Sequence, residues 1–291
     1  MENAHNQIGH YRNDIPQIFE FNALTVISDG ITTLHGMWTA AMEWFAPWKS
    51  IDGATIEANT TAGMKTLIEG LFPKDHLLAY IRDFIVFEQN HDIITKKGAK
   101  YHQFFAVSLA AMKARESFMD NGILRLGVIW HTTGSGKSLS MVFLVGILRR
   151  MPELNNPTIL VQVDANDLDG QLYDQFLAAR SLAGDAKHAG SIEELRKLLQ
   201  TEGGELIFST VQKFQLKDGE IEHPVLSERT NLLVIADEAH RSQYGFLKGY
   251  ARYLREALPN AKFLGFTGTP ISFSGADTVE VGCRNIPLYS S

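Results

Sequence analysis

One cysteine, Cys283, is all the thiol the 291-residue sequence holds, and no Cys or His stands near it at metal-ligand spacing. A disulfide framework and a thiolate metal centre are therefore excluded, and a reducing compartment fits. Long apolar runs are lacking too. Stretches such as Met141–Val145 fall far short of the roughly 20 residues of a membrane helix, so no span is expected. Met1–Asn13 has no basic segment leading into an apolar one, so no secretory signal is read and a cytoplasmic location is expected. Positive charge is also scarce, with 27 Lys and Arg against 33 Asp and Glu for a net charge of −6. No global attraction to a phosphate backbone follows, and any nucleic-acid contact must rest on local groups.

A 45% hydrophobic content supports a sizeable core in one large or two ordinary domains. The punctuation changes character near residue 72. Before it, Leu24–Ser28 reads as a strand closed by Asp29-Gly30 and Gly36–Thr39 as a second, while Trp38, Trp44 and Trp48 around Pro47 read as core or interface. After Pro73, helices expected over 75–88, 101–117, 137–150, 168–180, 192–199 and 244–257 alternate with strands over 124–130, 158–163, 205–209, 232–236 and 263–266. That alternation marks an α/β fold, a parallel sheet with helices on its faces. Ligands of such sheets sit beyond the carboxyl ends of the strands. The expected division is 1–72, 73–281 and an atypical tail at 282–291.

His131-Thr132-Thr133-Gly134-Ser135-Gly136-Lys137-Ser138 follows a strand and opens an apolar helix, the context of a phosphate loop. Gly134 and Gly136 let amides turn onto an anion, the helix start adds partial positive charge, and Lys137 reaches β and γ phosphates. Ser138 offers a hydroxyl to Mg²⁺. His131 stands where the full pattern has its first glycine, and a chance helix cap is the plain alternative.

The apolar run Leu232–Ala236 ends at Asp237-Glu238-Ala239-His240. One carboxylate at a strand end can hold Mg²⁺ against phosphates while its neighbour polarises a water, so Asp237 is read as the metal ligand and Glu238 as the water-activating group. A capping pair for the next helix is the alternative. Phe266-Thr267-Gly268-Thr269-Pro270 brings hydroxyls to the same sheet edge, although alone it is only a turn.

With these segments in order, the chain resembles a superfamily 2 helicase core and, more closely, the restriction (R) subunit of type I restriction-modification enzymes. Further matches are Asp167-Leu168-Asp169 with Gln171, Ser209-Thr210-Val211-Gln212-Lys213-Phe214, Asp237–Gln243 and Tyr101-His102-Gln103. The resemblance implies a RecA-like motor domain over 73–281 that binds ATP and Mg²⁺, with Thr132 to Ser138 at the nucleotide. Gln103 would read adenine, and His240, Thr267 and Thr269 would couple hydrolysis to movement. Residues 163–171 and 209–214 would grip double-stranded DNA. Residues 1–72 resemble the end of a nuclease domain, with Gln7-x-x-x-Tyr11 supporting a metal site whose acids lie elsewhere. Modification (M) and specificity (S) subunits would be partners. The resemblance also implies that this stretch alone binds ATP but is incomplete for translocation and cleavage. A small-molecule phosphotransferase and a non-catalytic ATP-sensing or assembly module are the competing classes.

Overall fold

The structure is a computed structural model, which describes residues 1–57, 63–120, 124–132, 134–163, 169–216, 223–238, 247–268, 272–273 and 276–277. Thr133, His240, Thr269, Asp167, Leu168 and the tail 282–291 lie outside the described residues. The chain forms two compact units, Met1–Phe105 and Ala106–Ser291.

The first unit contains helix α1 (Glu2–Asp14), strands β1 (Thr25–Ser28) and β2 (Thr33–Gly36), helices α2 (Gly63–Leu71) and α3 (Lys74–Asp83), and strands β3 (Ile85–Asn90) and β4 (Ile93–Gly98). It takes in the first residues of α4 (Tyr101–Asp120). The Asp29 carboxylate accepts from the Ile31 and Thr32 amides, so the chain reverses at once and β2 begins at Thr33, earlier than the expected 36–39. The expected helix 75–88 stops at Asp83, because Ile85, Val86 and Phe87 pass into an antiparallel hairpin. Its inward face buries Val86 and Glu88, with Glu88 paired to Lys97 at 2.6 Å.

An aromatic cluster sets where this unit ends. Trp48 lies 5.5 Å from Phe104 and 6.2 Å from Tyr80, and Phe84 lies 4.7 Å from Phe104. Tyr80, Phe104 and Phe105 therefore pack on Trp48, and the division falls inside α4 rather than near residue 72. Of the three neighbouring tryptophans, Trp48 is core, whereas Trp44 is exposed.

The second unit is built on β5 (Arg125–Trp130), β6 (Thr158–Val163), β7 (Ala186–His188), β8 (Leu206–Thr210), β9 (Leu232–Ala236) and β10 (Lys262–Thr267). They form one six-stranded sheet in the order β5-β10-β9-β6-β8-β7, parallel throughout. Strand β7, three residues long and centred on Lys187, carries too little apolar pattern to be read from sequence.

Helices α5 (Lys137–Arg150), α6 (Asp169–Ala178), α7 (Arg180–Ala183), α8 (Ile192–Leu199) and α9 (Leu247–Ala257) complete the unit, with short strands β11 (Ser272–Phe273) and β12 (Ala276–Asp277) after β10. Ile207, Leu160 and Val234 pack with Leu195 and Leu199 of α8 and with Leu254 and Ala257 of α9. Phe208, next to Ile207 and so on the opposite face, meets Phe176 of α6 at 5.0 Å. Helices thus cover both faces. Each fully buried aromatic or aliphatic side chain contributes about 1.5–3 kcal/mol, enough in sum to hold the strand ends in fixed register.

Candidate functional site: three strand ends around one lysine

Parallel order brings the carboxyl ends of β5, β10 and β9 to one edge as consecutive neighbours. Trp130 pairs in register with Thr267, and Gly265 with Ala236. The rung continues one residue further, where the His131 amide donates to the Thr267 carbonyl at 3.0 Å. The loop after β5, the buried Thr267 and the acids after β9 are therefore set side by side by backbone pairing alone.

Within the loop, Gly134 at φ 84° and Gly136 at φ 89° occupy the left-handed region. Side-chain-bearing residues pay about 1–2 kcal/mol there, which explains both glycines. Gly136 is the residue just before α5, so the Lys137 and Ser138 amides open that helix. The Ser135 hydroxyl and amide both donate to the Thr132 carbonyl, at 2.7 and 3.1 Å, fixing the bend.

The Lys137 ammonium reaches across the edge to Asp237 Oδ1 at 2.8 Å and also contacts Glu238 Oε1. All three side chains are largely shielded, at 18%, 5% and 19% exposure for Lys137, Asp237 and Glu238. Two adjacent carboxylates withdrawn from water repel each other, and the ammonium between them offsets that repulsion. Glu238 sits at φ 45°, a strained conformation for a side-chain-bearing residue and of the kind that collects at functional sites. Its amide donates to Asp237 Oδ1 at 2.9 Å, and the Asp237 amide to the Gln162 carbonyl at 2.8 Å. On its far side, Glu238 Oε2 is 3.5 Å from the Gly268 amide.

The donor set suits a hard divalent cation, because Ser138 and Asp237 offer oxygen only and a lysine cation already sits between the two acids. Among the described residues no three His, Cys, Asp or Glu side chains cluster. A divalent ion here would complete its shell with phosphate oxygens and water.

The structure thus brings together Lys137, Asp237, Glu238 and the Thr267-Gly268 turn, with Ser138 half-buried at the start of α5. Gln103, in the first unit, is buried in the first turn of α4, and its side-chain oxygen accepts from the Lys100 amide at 2.8 Å. That is the reach-back of a capping box. Gln7 and Tyr11 stand four residues apart on α1, both exposed. Among the described residues no helix is long and apolar enough to cross a membrane. One contact was not anticipated: the Trp130 indole donates to the Gly268 carbonyl at 3.1 Å. An aromatic residue directly before the loop was the available signal, but it read as the last apolar residue of a strand.

A phosphate loop and an acidic pair at one edge of a parallel sheet, with a single strand end between them, define a nucleotide-binding α/β domain. Residues 102–290 match the SWI2/SNF2 ATPase family, and the chain belongs to it. Over 98% of its length the chain is 44% identical to the type I restriction enzyme HindI endonuclease subunit of Haemophilus influenzae, and 26% identical to the SsaAORF53P endonuclease subunit of Staphylococcus saprophyticus. It spans 28% and 30% of those relatives' lengths. The SWI2/SNF2 ATPase core of Sulfolobus solfataricus, solved with double-stranded DNA, is 17% identical at a TM-score of 0.39, covering 58% of this chain and 31% of its own.

Proposed function

We propose that this chain carries the ATP-hydrolysing half of a DNA-translocating motor of the type I restriction endonuclease kind. The observation that carries the reading is Lys137 of the phosphate loop in contact with both Asp237 and Glu238. The amides of Gly134 to Ser138 and the helix start would cradle the phosphates, and Lys137 would leave the acids for the β and γ oxygens. Asp237 and Ser138 would hold Mg²⁺, which supplies charge neutralisation at the transferring phosphoryl group. Glu238, released from Lys137, would orient a water and accept its proton.

Thr267, buried beside the loop, suits a coupling role, which the resemblance extends to His240 and Thr269. Gln103 on the adenine, residues 209–214 on double-stranded DNA, Gln7 and Tyr11 at a nuclease centre, and M and S subunits as partners belong to the same proposal. Calorimetry with Mg·ATP tests it: the 291-residue chain should bind, and Lys137→Ala should bind about a hundredfold more weakly. Equal affinity of the two overturns the site. Phosphate release that duplex DNA does not stimulate in the assembled enzyme would favour a phosphotransferase, and no release at all would favour a sensor.

A further inference from the structure

We propose that a cleft beside helix α1, within the first unit, binds a nucleoside monophosphate, either free or at the end of a single nucleic-acid strand. No residue of the Lys137 site takes part, so the inference stands apart from the function proposed above.

No residue of α1 is fully buried. The His5 ring pins the helix, donating from Nε2 to the Ala40 carbonyl at 2.9 Å and standing edge-on to Phe45 at 5.2 Å. Beside this pin a cleft of about 380 Å³ opens, lined by Asn6, Gly9, His10, Arg12, Asn13 and Trp38 among others. Small-ligand pockets begin at about 300 Å³, so this one admits a single nucleotide and is too small for a duplex. Gly9 stands in the middle of α1, where glycine costs about 1 kcal/mol relative to alanine. A Cβ there would meet nothing within 4 Å, and its φ is not left-handed, so neither packing nor backbone shape requires glycine. Any side chain at this position would instead take up room in the cleft.

The lining is one-sided in charge. It holds Arg12 and two histidines and no acid, in a chain of 33 Asp and Glu with a net charge of −6. Arg12 and His10 are exposed, and among the described residues their side chains have no ion-pair or hydrogen-bond partner, which leaves them available to an anion. Asn6 and Asn13 each carry a donor and an acceptor on one amide, the pair that the edge of a base needs. The Trp38 ring stacks on Phe19 at 5.1 Å and is half-buried, so it is held in place and still offers surface to a planar ring. A bare anion would use the guanidinium and leave the indole and the amides idle, whereas a nucleotide uses all three. Gln7 and Tyr11 each lie roughly 160° around α1 from Gly9, so the cleft is separate from the motif on the opposite face.

The test titrates dAMP, without metal, into the 291-residue chain with ¹⁵N-labelled indoles. It has four tryptophans, and the Trp38 signal is the one lost in Trp38→Phe. dAMP lacks the β and γ phosphates that Lys137 would take, and the Trp38 signal reads this cleft alone, so the outcome is independent of the phosphate loop. That signal should move saturably. Arg12→Gln should weaken dAMP about tenfold, the worth of one charge-assisted bond at an exposed site, and leave deoxyadenosine, which has no phosphate, within about twofold. Gly9→Leu should abolish the shift while the urea midpoint holds or rises, because leucine favours the helix and fills the cleft. Lys65→Gln removes a cation of the same unit outside the cleft and should change dAMP affinity by less than about twofold. An unmoved Trp38 signal, Gly9→Leu binding as the parent does, or equal weakening by Arg12→Gln and Lys65→Gln overturns the proposal. So does inorganic phosphate moving the signal at the same concentrations as dAMP, since a bare anion then suffices. A 5′-phosphorylated tetranucleotide that binds more tightly than dAMP supports a strand end as the source, and equal or weaker binding supports the free nucleotide.

Discussion

The two edges of the parallel sheet both bury charge, and they do so in opposite ways. At the amino edge, Arg229 donates to Thr158 Oγ1, the Thr201 carbonyl and Asn231 Oδ1 at 2.9, 2.8 and 3.0 Å, and Lys262 donates to the Thr230 carbonyl at 3.0 Å. Cations there end on neutral oxygens of the fold. At the carboxyl edge, Lys137 ends on two carboxylates beside left-handed glycines and a strained Glu238. Neutral carbonyls have no second role to be released for. An ammonium on two acids can be exchanged for another cation and an anion, so charge at one edge suits stability and, under the proposed function, charge at the other suits ligand exchange.

The sharpest way to break this contrast is Glu238→Gln. Under the proposed function, turnover of the assembled enzyme should fall about 10²–10⁴-fold, the range of a general base, with nucleotide affinity kept. Stability in urea should change by less than about 1 kcal/mol, since Lys137 keeps Asp237 as its partner and the repulsion between the two acids is relieved. A large stability loss would make the carboxyl edge structural like the other. Lys137→Ala comes next: ATP affinity should drop about a hundredfold, the cost of charge-assisted bonds to phosphate. Calorimetry reads it directly.

What the sequence made legible follows the same contrast. The glycines, lysine and paired acids at strand ends are a pattern in which each residue type is dictated by local chemistry, so the meeting of Lys137, Asp237 and Glu238 at one sheet edge is legible in the sequence. The strands that hold them were readable because runs such as Leu232–Ala236 are buried on both faces. Contacts that depend on register were not readable, since Trp130 and Gly268 are 138 residues apart and meet only because β10 pairs with β5. The expected helix 75–88 runs on over residues 85–88 because Ile81, Ile85 and Glu88 keep a helical spacing, and only pairing with β4 turns those residues into strand. The Arg229 network was invisible for the same reason, joining residues of three separate segments.

Arg229→Ala sharpens the amino-edge side. It removes a donor shared by Thr158, Thr201 and Asn231, and the half-buried position lets water replace only part of what is lost. Urea unfolding should show a loss of about 1–3 kcal/mol. Nucleotide affinity of the folded variant should stay that of the parent. A loss of affinity with unchanged stability would show that the two edges are not separable.

The smallest effect, and the most specific, concerns Lys262. Its side chain is 1% exposed, with the ammonium 4.5 Å over the Phe118 ring and bonded to the Thr230 carbonyl. Burial lowers its pKa below the ordinary 10.5. The neutral form is thus favoured in the folded chain relative to the unfolded one. Between the depressed value and 10.5 the unfolded chain binds more protons, so protonation favours unfolding and stability rises with pH across that window, levelling above 10.5. Lys262→Met keeps a similar length and volume without the titrating group. Unfolding free energies measured for parent and variant at a series of pH values up to 10.5 should therefore diverge, with the parent gaining on the variant as pH rises. Because every other titrating group is common to both proteins, the difference isolates Lys262. Parallel curves would mean that the ring and the carbonyl fully replace water around this ammonium, and that the amino edge carries its buried charge without cost. A gain in the opposite direction would mean that they hold the ammonium better than water does.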